Sequence, residues 1–284
     1  MYDMDKTTNK LASISILTAG ILGLSASWSA AGRYAHVYPP AVAPEVAVEW
    51  VTIEGGKFLM GNPNGYDTKP VHEATVPTFA MSKTLVTVEQ YAECVSAGQC
   101  AAPDTGYACN WGKTDRDRRR DPVNCVDFDR ASQFANFMDA RLPSETEWEY
   151  AAKSAGQDRK YPWGDAVPSC DRAVINGNGG DGCGTKSTMP VCSKPAGNTA
   201  QGLCDMAGNT REWMQDKYQQ SYAETPVDGS AYEVRGSGRV LRGGAFSDSD
   251  DFGMSTEFRT DSRRYGNPYY RDANLGIRLA KSTP

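Results

Sequence analysis

Hydrophobic and polar positions divide the chain into two parts with different periodicities. Up to about residue 156, β-prone runs alternate with amphipathic segments, whereas after Tyr161 Gly, Asn, Asp and Pro recur every few residues. Residues 46–53, a turn at Gly55-Gly56 and residues 57–60 predict a β-hairpin at the start of the domain. In the second part, short strands are expected around residues 211–214, 239–241 and 276–280.

Three helices are predicted from their start signals. They begin after Thr87, Asp127 and Ser144 and run to about Ala97, Ala140 and Gly156. Thr87 and Ser144 are each followed three residues later by Gln or Glu, which is the capping-box spacing. Short helices and strands without an internal repeat predict one α+β domain of low regular secondary structure.

The N-terminal segment has the pattern of an export signal. Residues 11–24 form an uncharged apolar run behind Lys6 and Lys10, and small residues follow as far as Ala31. The run is shorter than the roughly 18 to 20 residues of a membrane-spanning helix. We therefore predict a cleaved signal peptide (1–31), an extended lead-in (32–45), a folded domain (46–284), a periplasmic location and no membrane span after cleavage; an uncleaved anchor is the alternative.

All eight cysteines lie beyond this signal. An even number of cysteines in an exported chain indicates disulfides, and no C-x-x-C pair suggests a zinc site. The short local spacings favour pairing each cysteine with the next, although spacing by itself does not establish the connectivity. The pairs expected on this basis are Cys94–Cys100, Cys109–Cys125, Cys170–Cys183 and Cys192–Cys204.

Composition excludes several functional classes. The formal net charge of -5 is opposite to the positive field that nucleic-acid binding requires, so no nucleic-acid partner is expected. His36 and His72 are the only two histidines, which rules out a three-histidine metal site. A Ser-His-Asp triad would depend on His72, and no G-x-S-x-G motif supports it.

Six segments of the chain form a characteristic series of motifs. They are residues 50–61 (WVTIEGGKFLMG), 141–152 (RLPSETEWEYAA), 161–164 (YPWG), 205–213 (DMAGNTREW), 239–244 (RVLRGG) and 274–278 (NLGIR). Taken together and in this order, they resemble the formylglycine-generating enzyme (sulfatase-modifying factor) family. The resemblance extends from about Trp50 to Leu279 and implies a C-type-lectin-like fold.

The chain departs from this family at the catalytic cysteine pair. In formylglycine-generating enzymes the pair follows the Gly-Gly of the C-terminal motif and binds copper. Residues 245–259 contain no cysteine, and Asp248 stands roughly in the first cysteine's place, so no copper is expected. The related iron enzymes of sulfur transfer need three histidines, which this chain lacks.

Within the family, the chain is most similar to the periplasmic branch that matures the siderophore pyoverdine. The resemblance implies oxidation of the dihydro-chromophore to the mature fluorophore. The implied partners are a peptide-derived siderophore precursor and other periplasmic maturation enzymes. No redox cofactor motif is visible, so either dioxygen reacts directly with the bound substrate or another protein supplies the oxidant.

Candidate catalytic and substrate-binding residues lie in the C-terminal stretch. Dehydrogenation next to a ring nitrogen needs a base, and we predict Glu257 first and Asp248 second for this role. Each carboxylate could instead form an ordinary salt bridge or lie in a solvated loop, together with Asp250 and Asp251. The predicted substrate-binding side chains, for acidic groups and for stacking on a flat chromophore, are Arg259, Arg263, Arg271, Tyr265, Tyr269, Tyr270, Phe246 and Phe252.

The resemblance also implies structural Ca²⁺. The first motif is matched by Asp205, Gly208, Thr210 and Glu212, in a tight turn that supplies hard oxygen ligands. A second loop, with Asn176, Gly177 and Asp181, resembles the other calcium loop of the family. The alternative is a glycine-rich turn whose aspartate accepts from backbone N–H groups.

Two other functions compete with the enzyme prediction. Domains of this fold also serve as binding modules, whose variable residues lie between Gly-Gly and the final Asn-Leu-Gly-Ile-Arg motif. Sulfatase activation would need the absent cysteine pair and is therefore disfavoured. A partly buried carboxylate would favour the enzyme, whereas a flat, exposed loop would favour the binding module.

Overall fold

The computed structural model of the chain describes residues 47–177, 179–249 and 256–283. The predicted signal peptide and lead-in lie outside these ranges, as do Asp250, Asp251 and Phe252. The described residues belong to one compact unit, Ala43–Pro284. Within them, no helix combines the length and the apolar character needed to cross a membrane.

Short elements alternate with long irregular segments. The described helices are α1 (Val88–Ser96), α2 (Phe128–Phe137) and α3 (Glu145–Ala152). The described strands are β1 (Trp50–Ile53), β2 (Gly56–Met60), β3 (His72–Val76), β4 (Phe79–Ser82), β5 (Arg211–Lys217), β6 (Arg239–Arg242), β7 (Arg264–Gly266), β8 (Leu275–Gly276) and β9 (Ala280–Ser282).

The predicted hairpin of β1 and β2 is wrong, although both strands exist. β1 pairs with β4 in the sheet β1-β4-β9, whereas β2 pairs with β3 in a separate two-stranded sheet. The connection at Gly55 lies against Thr78, and a Cβ on Gly55 would come within 2.5 Å of the Thr78 nitrogen. The turn between β1 and β2 therefore packs against the turn between β3 and β4. As a result β1 pairs with β4 and β2 pairs with β3, instead of β1 pairing with β2.

The predicted helix starts are confirmed. Thr87 and Ser144 cap α1 and α3 through complete capping boxes, and the Asp127 side chain accepts from the Arg130 N–H at the start of α2. α2 ends at Phe137, three residues before the predicted end at Ala140. Start signals are local hydrogen bonds, whereas helix ends depend on packing, so the starts were the more predictable feature.

The second part of the chain forms a four-stranded sheet of order β7-β6-β5-β8. β5 pairs with β6 antiparallel and with β8 parallel. It therefore lies between a strand that follows it closely in sequence and one near residue 275. The predicted strand at residues 276–280 is instead divided between β8 and β9, which belong to different sheets. β7 was not predicted, because three residues with two exposed side chains carry no alternating hydrophobic pattern.

Four disulfides join the irregular segments, and the nearest-neighbour pairing is confirmed. The bonds are Cys94–Cys100, Cys109–Cys125, Cys170–Cys183 and Cys192–Cys204. No cysteine remains free, and all eight lie within the described ranges. Closing loops of this size stabilises a loop-rich domain by about 2–4 kcal/mol per bond.

The buried carboxylate of Asp216 links β5 to two other segments. Its oxygens accept from the Glu145 N–H at 2.7 Å and from the Tyr232 N–H at 2.9 Å. Burial, with repulsion from Glu145 as the second cause, raises the pKa of Asp216 to about 7. Between pH values of about 4 and 7, the Asp216 carboxyl group is therefore protonated in the folded protein. In the unfolded chain, where the pKa of aspartate is about 3.9, it has lost this proton.

We expect the unfolding free energy of the wild type, taken relative to that of the Asp216→Asn variant, to fall as the pH rises from about 4 to 7. The native pKa lies above the unfolded pKa, so the raised group contributes stability below the unfolded pKa and loses it as pH rises through 7. The difference in unfolding free energy between the two proteins should change by up to about 1.4 kcal/mol per pH unit. Urea unfolding between pH 5 and 8 measures this change, with the variant Asp228→Asn, at an exposed aspartate in the loop after β5, as control. Parallel curves for wild type and Asp216→Asn would contradict the assignment.

Candidate functional site

A sharp turn after β6 forms the frame of the candidate site. Gly243 and Gly244 both adopt positive φ, at 98° and 69°, which glycine tolerates without strain. The Gly208 N–H donates to the Gly243 carbonyl at 2.8 Å, and the Asn176 N–H donates to the Asp248 carbonyl at 2.8 Å. The two loops predicted to hold calcium therefore pack directly against the segment that follows Gly-Gly.

Four charged side chains alternate in sign on this frame. Arg211 Nη2 donates to both carboxylate oxygens of Asp248 at 2.6 Å and lies 3.7 Å from Glu257 Oε2. Glu257 in turn accepts from Arg264 Nε at 3.0 and 2.9 Å. We call Asp248, Arg211, Glu257 and Arg264 the carboxylate–arginine cluster.

The inner members of the cluster are partly desolvated. The side chains of Arg211, Asp248 and Glu257 are 16%, 15% and 14% exposed. Burial raises the pKa of Asp248, and the charge of Glu257 adds to this, whereas Arg211 and the Ala245 N–H at 2.8 Å act in the opposite direction. Two carboxylates that share one cation in a partly buried site are an arrangement suited to proton transfer.

The tertiary structure thus brings together both residues predicted as catalytic, and the role itself stays a prediction. Arg211 and Arg264 were not predicted. Arg211 lies inside the DMAGNTREW segment, at the start of the mostly buried strand β5. An arginine at the start of a hydrophobic strand was the feature from which a buried partner could have been predicted. Arg264 lies in the unpredicted strand β7, so no pattern distinguished it from its neighbours.

The structure corrects the prediction that Arg263 binds substrate. Its side chain is 2% exposed and donates to Glu145 Oε2 at 2.7 Å. Its guanidinium also lies over the rings of Tyr218 and Tyr222. These contacts make Arg263 part of a buried charge network, where no substrate reaches it.

The other two predicted arginines are paired with aspartates. Arg259 donates to Asp261 at 2.8 and 2.6 Å, beside a cleft of about 370 Å³ that also contains Asn62, Lys160 and Asp165. Arg271 bonds Asp127 at 2.8 Å and Asp104 at 3.1 Å. Substrate binding by either arginine stays a prediction, and it would require a substrate to compete with these carboxylates.

The predicted aromatic residues do not form one surface. Phe246 is buried, which corrects its assignment as a stacking residue. Tyr265 is exposed and stacks on Tyr218 with ring centroids 4.4 Å apart, while Tyr269 and Tyr270 are exposed in the following loop. A stacking role for these three tyrosines stays a prediction.

The turn around Glu212 holds two buried carboxylates. Glu212 Oε1 accepts from Arg278 Nε at 2.9 Å and Oε2 accepts from Trp148 Nε1 at 2.6 Å, and both members of the Arg278–Glu212 pair are fully buried. Asp205 Oδ2 accepts from the Cys192 N–H at 2.8 Å. Thr210 Oγ1, in the same predicted ligand set, is buried without a hydrogen-bond partner among the described residues. Calcium binding at this turn stays a prediction, and an ion there would share Glu212 with Arg278.

The second predicted calcium loop retains a suitable pair of side chains. Asn176 Nδ2 donates to Asp181 Oδ1 at 2.7 Å, and the Cys170–Cys183 disulfide closes the loop. Amide and carboxylate oxygens are ligands that calcium accepts. Within the described ranges, no group of three or more His, Cys, Asp or Glu is placed to hold a metal, so main-chain carbonyls would have to complete this site.

We expect calcium to raise the melting temperature through the Asn176 loop. A ligand that binds only the folded state stabilises it by RT ln(1 + [L]/Kd), which is about 2.7 kcal/mol at a hundredfold excess over Kd. Thermal unfolding with EDTA and with added Ca²⁺ measures the shift, and Asp181→Asn should abolish it. Equal melting temperatures under both conditions would contradict calcium binding by this loop.

All eight cysteines of the chain form disulfides, so none of them is a free thiolate in this structure. The expectation that the protein holds no copper stays a prediction. The fold and site together define a disulfide-rich α+β domain with the C-type-lectin-like architecture of formylglycine-generating enzymes, in which a carboxylate–arginine cluster follows Gly-Gly. The chain belongs to the sulfatase-modifying factor enzyme 1-like domain family, which matches residues 38–283.

Known enzymes are among its relatives. Hercynine oxygenase of Mycolicibacterium smegmatis is 29% identical over 280 residues, covering 85% of this chain and 63% of that protein. Formylglycine-generating enzyme of Streptomyces coelicolor is also 29% identical, covering 85% of this chain and 91% of that protein. Serine/threonine-protein kinase Pkn1 of Chlamydia trachomatis is 32% identical over 88% of this chain, which spans only 41% of the kinase's length.

The fold is also that of a solved structure, PvdO from Pseudomonas aeruginosa. The two chains are 28% identical with a TM-score of 0.69, and the match covers 83% of this chain and 95% of PvdO. Members of the family include oxygenases, which is consistent with an enzyme.

Proposed function

We propose that the protein is a periplasmic oxidoreductase of siderophore maturation that oxidises a pyoverdine-type dihydro-chromophore to the mature fluorophore. The observation that carries the proposal is the partly buried pair Asp248 and Glu257 around Arg211, in the segment where the family's cysteine pair would lie. The resemblance of the sequence to the pyoverdine-maturing branch of the family supports the choice of substrate, and the similarity to PvdO over 95% of that chain supports the shared fold. The four disulfides support an oxidising compartment outside the cytoplasm.

In the proposed reaction, the C–H bond next to a ring nitrogen breaks and its proton passes to the Glu257 carboxylate. The electron pair passes to dioxygen, and the nitrogen loses its proton as the C=N bond forms. Two electrons and two protons thus leave the substrate, and dioxygen takes them up as hydrogen peroxide. Arg211 and Asp248 hold Glu257 in place and keep its surroundings polar.

The test is aerobic incubation of the mature protein with the dihydro-siderophore precursor. Chromophore absorbance and oxygen uptake should rise together in proportion to protein concentration, with one oxygen consumed per chromophore formed. A precursor that binds without any oxidation would overturn the enzyme proposal. It would favour the second candidate, a binding module, for which the exposed Tyr269 and Tyr270 are the specific observation.

A further inference from the structure

The proposed base is covered by an arginine. Glu257 is 14% exposed, whereas Arg264, which bonds it, is 60% exposed. Arg264 Nε lies 3.0 Å from Oε1 and 2.9 Å from Oε2, and Nη2 also contacts Oε1. Both oxygens that would receive the substrate's proton are therefore held by Arg264, and this contact must change before proton transfer.

The two arginines of the cluster differ in how firmly they are held. Arg211 is largely buried, bonds both oxygens of Asp248, and its backbone N–H donates to the Asn274 carbonyl at 2.7 Å. Breaking the Arg211–Asp248 pair would leave two largely buried charges without partners. Arg264, at 60% exposure, can exchange Glu257 for water, and Glu257 then still has Arg211 at 3.7 Å. Arg264 is consequently the member of the cluster that can move.

Strand β7 holds the Arg264 main chain in place. The Arg264 backbone is paired with Leu241 of β6, while its side chain is 60% exposed and has room to change rotamer. Arg263, directly before β7, is instead buried against Glu145. Among the described residues, the acidic groups that act on Arg264 are Glu257, Asp248 and Asp67.

We propose that Arg264 determines substrate specificity by exchanging Glu257 for an anionic group of the substrate. The exchange binds the substrate and, in the same step, uncovers Glu257 for proton abstraction. The inference rests on the proposed function and narrows its substrate class to a reduced ring system that carries a carboxylate or another anion close to the reacting carbon. An arginine fork suits such a group because it can make two charge-assisted hydrogen bonds.

Competition for Arg264 provides the test. Binding of the dihydro-siderophore precursor is measured by calorimetry without oxygen, so that affinity is separated from oxidation. Arg264→Gln should weaken binding about tenfold, as expected for the loss of a charge-assisted contact. Glu257→Gln should tighten binding by a similar factor because it releases Arg264, and the double variant should bind as weakly as Arg264→Gln.

A matched ion pair and a blocked ligand serve as controls. Arg235 and Glu224 form another exposed arginine–glutamate pair, so Arg235→Gln and Glu224→Gln should leave the affinity unchanged. The precursor with its acidic groups converted to methyl esters should bind wild type and Arg264→Gln equally. Arg264→Lys, which keeps the charge but loses the fork, should fall between wild type and Arg264→Gln.

The outcomes separate this inference from the proposed function. Wild-type affinity in Arg264→Gln overturns the role of Arg264, even where the protein oxidises the precursor. If the precursor binds to no variant, the proposed function fails. In that case an NMR titration with 2,3-dihydroxybenzoate decides: a shift of the Arg264 Nε–H signal supports the anion contact, and an unchanged signal overturns it.

Discussion

Glu257→Gln is expected to lower the rate of chromophore oxidation by about 10²- to 10⁴-fold, which is the usual contribution of a positioned general base. Glutamine has nearly the same shape as glutamate but cannot accept the proton, and it removes the charge that pairs with Arg264 and faces Arg211. Turnover at saturating precursor, followed by absorbance and oxygen uptake, measures the effect. The loss should appear in kcat, because the competition for Arg264 works in the opposite direction on binding.

The matched control is Glu224→Gln, which removes the same functional group from another arginine pair. This variant should retain wild-type turnover, because its pair is exposed on both sides. The melting temperatures of both variants show that each protein is folded when its turnover is measured. A Glu257→Gln protein with the wild-type rate would show that Glu257 is not the base. Asp248→Asn would then be the next variant, because burial raises the pKa of Asp248.

Arg278→Met is expected to destabilise the fold by about 3–5 kcal/mol, the range measured when one partner of a buried ion pair is removed. Arg278 and Glu212 are both fully buried. Arg278 also donates to the carbonyls of Ser82 and Cys204, at 2.9 and 2.7 Å, and so joins the end of the chain to two distant segments. Its removal leaves the Glu212 carboxylate without a cation. Burial already raises the pKa of that group.

A double-mutant cycle separates the charge from the packing. Arg278→Met combined with Glu212→Gln should recover part of the lost stability, since the uncompensated charge is then gone. Denaturant unfolding of the four proteins measures the coupling energy. Arg119→Met, which breaks an exposed pair with Asp117, should change stability by no more than about 0.5 kcal/mol. If Arg278→Met is as stable as this control, the pair does not support the fold.

The Glu212 turn depends on a contact that the sequence does not show. The residues that resemble calcium ligands are all present, and Arg278, 66 positions later, reaches the Glu212 carboxylate. The path of the chain brings the two together, because the segment before β9 passes beside Glu212.

The sequence alone determined the features that depend on neighbouring residues. Family membership, the capped starts of the three helices, the four disulfides and the presence of β1 and β2 follow from hydrogen bonds, spacings and hydrophobic patterns within short stretches. These interactions are much the same wherever the segment lies in the fold. They could therefore be predicted before the chain path was known.

Only the tertiary structure decided which strands pair and which charged groups meet. β1 and β2 belong to different sheets because the corner at Gly55 packs against Thr78. Adjacent arginines 263 and 264 differ in burial: Arg263 is buried beside Glu145, and Arg264 is exposed on Glu257. Strand pairing and burial are set by contacts between segments far apart in sequence, and local patterns do not encode those contacts.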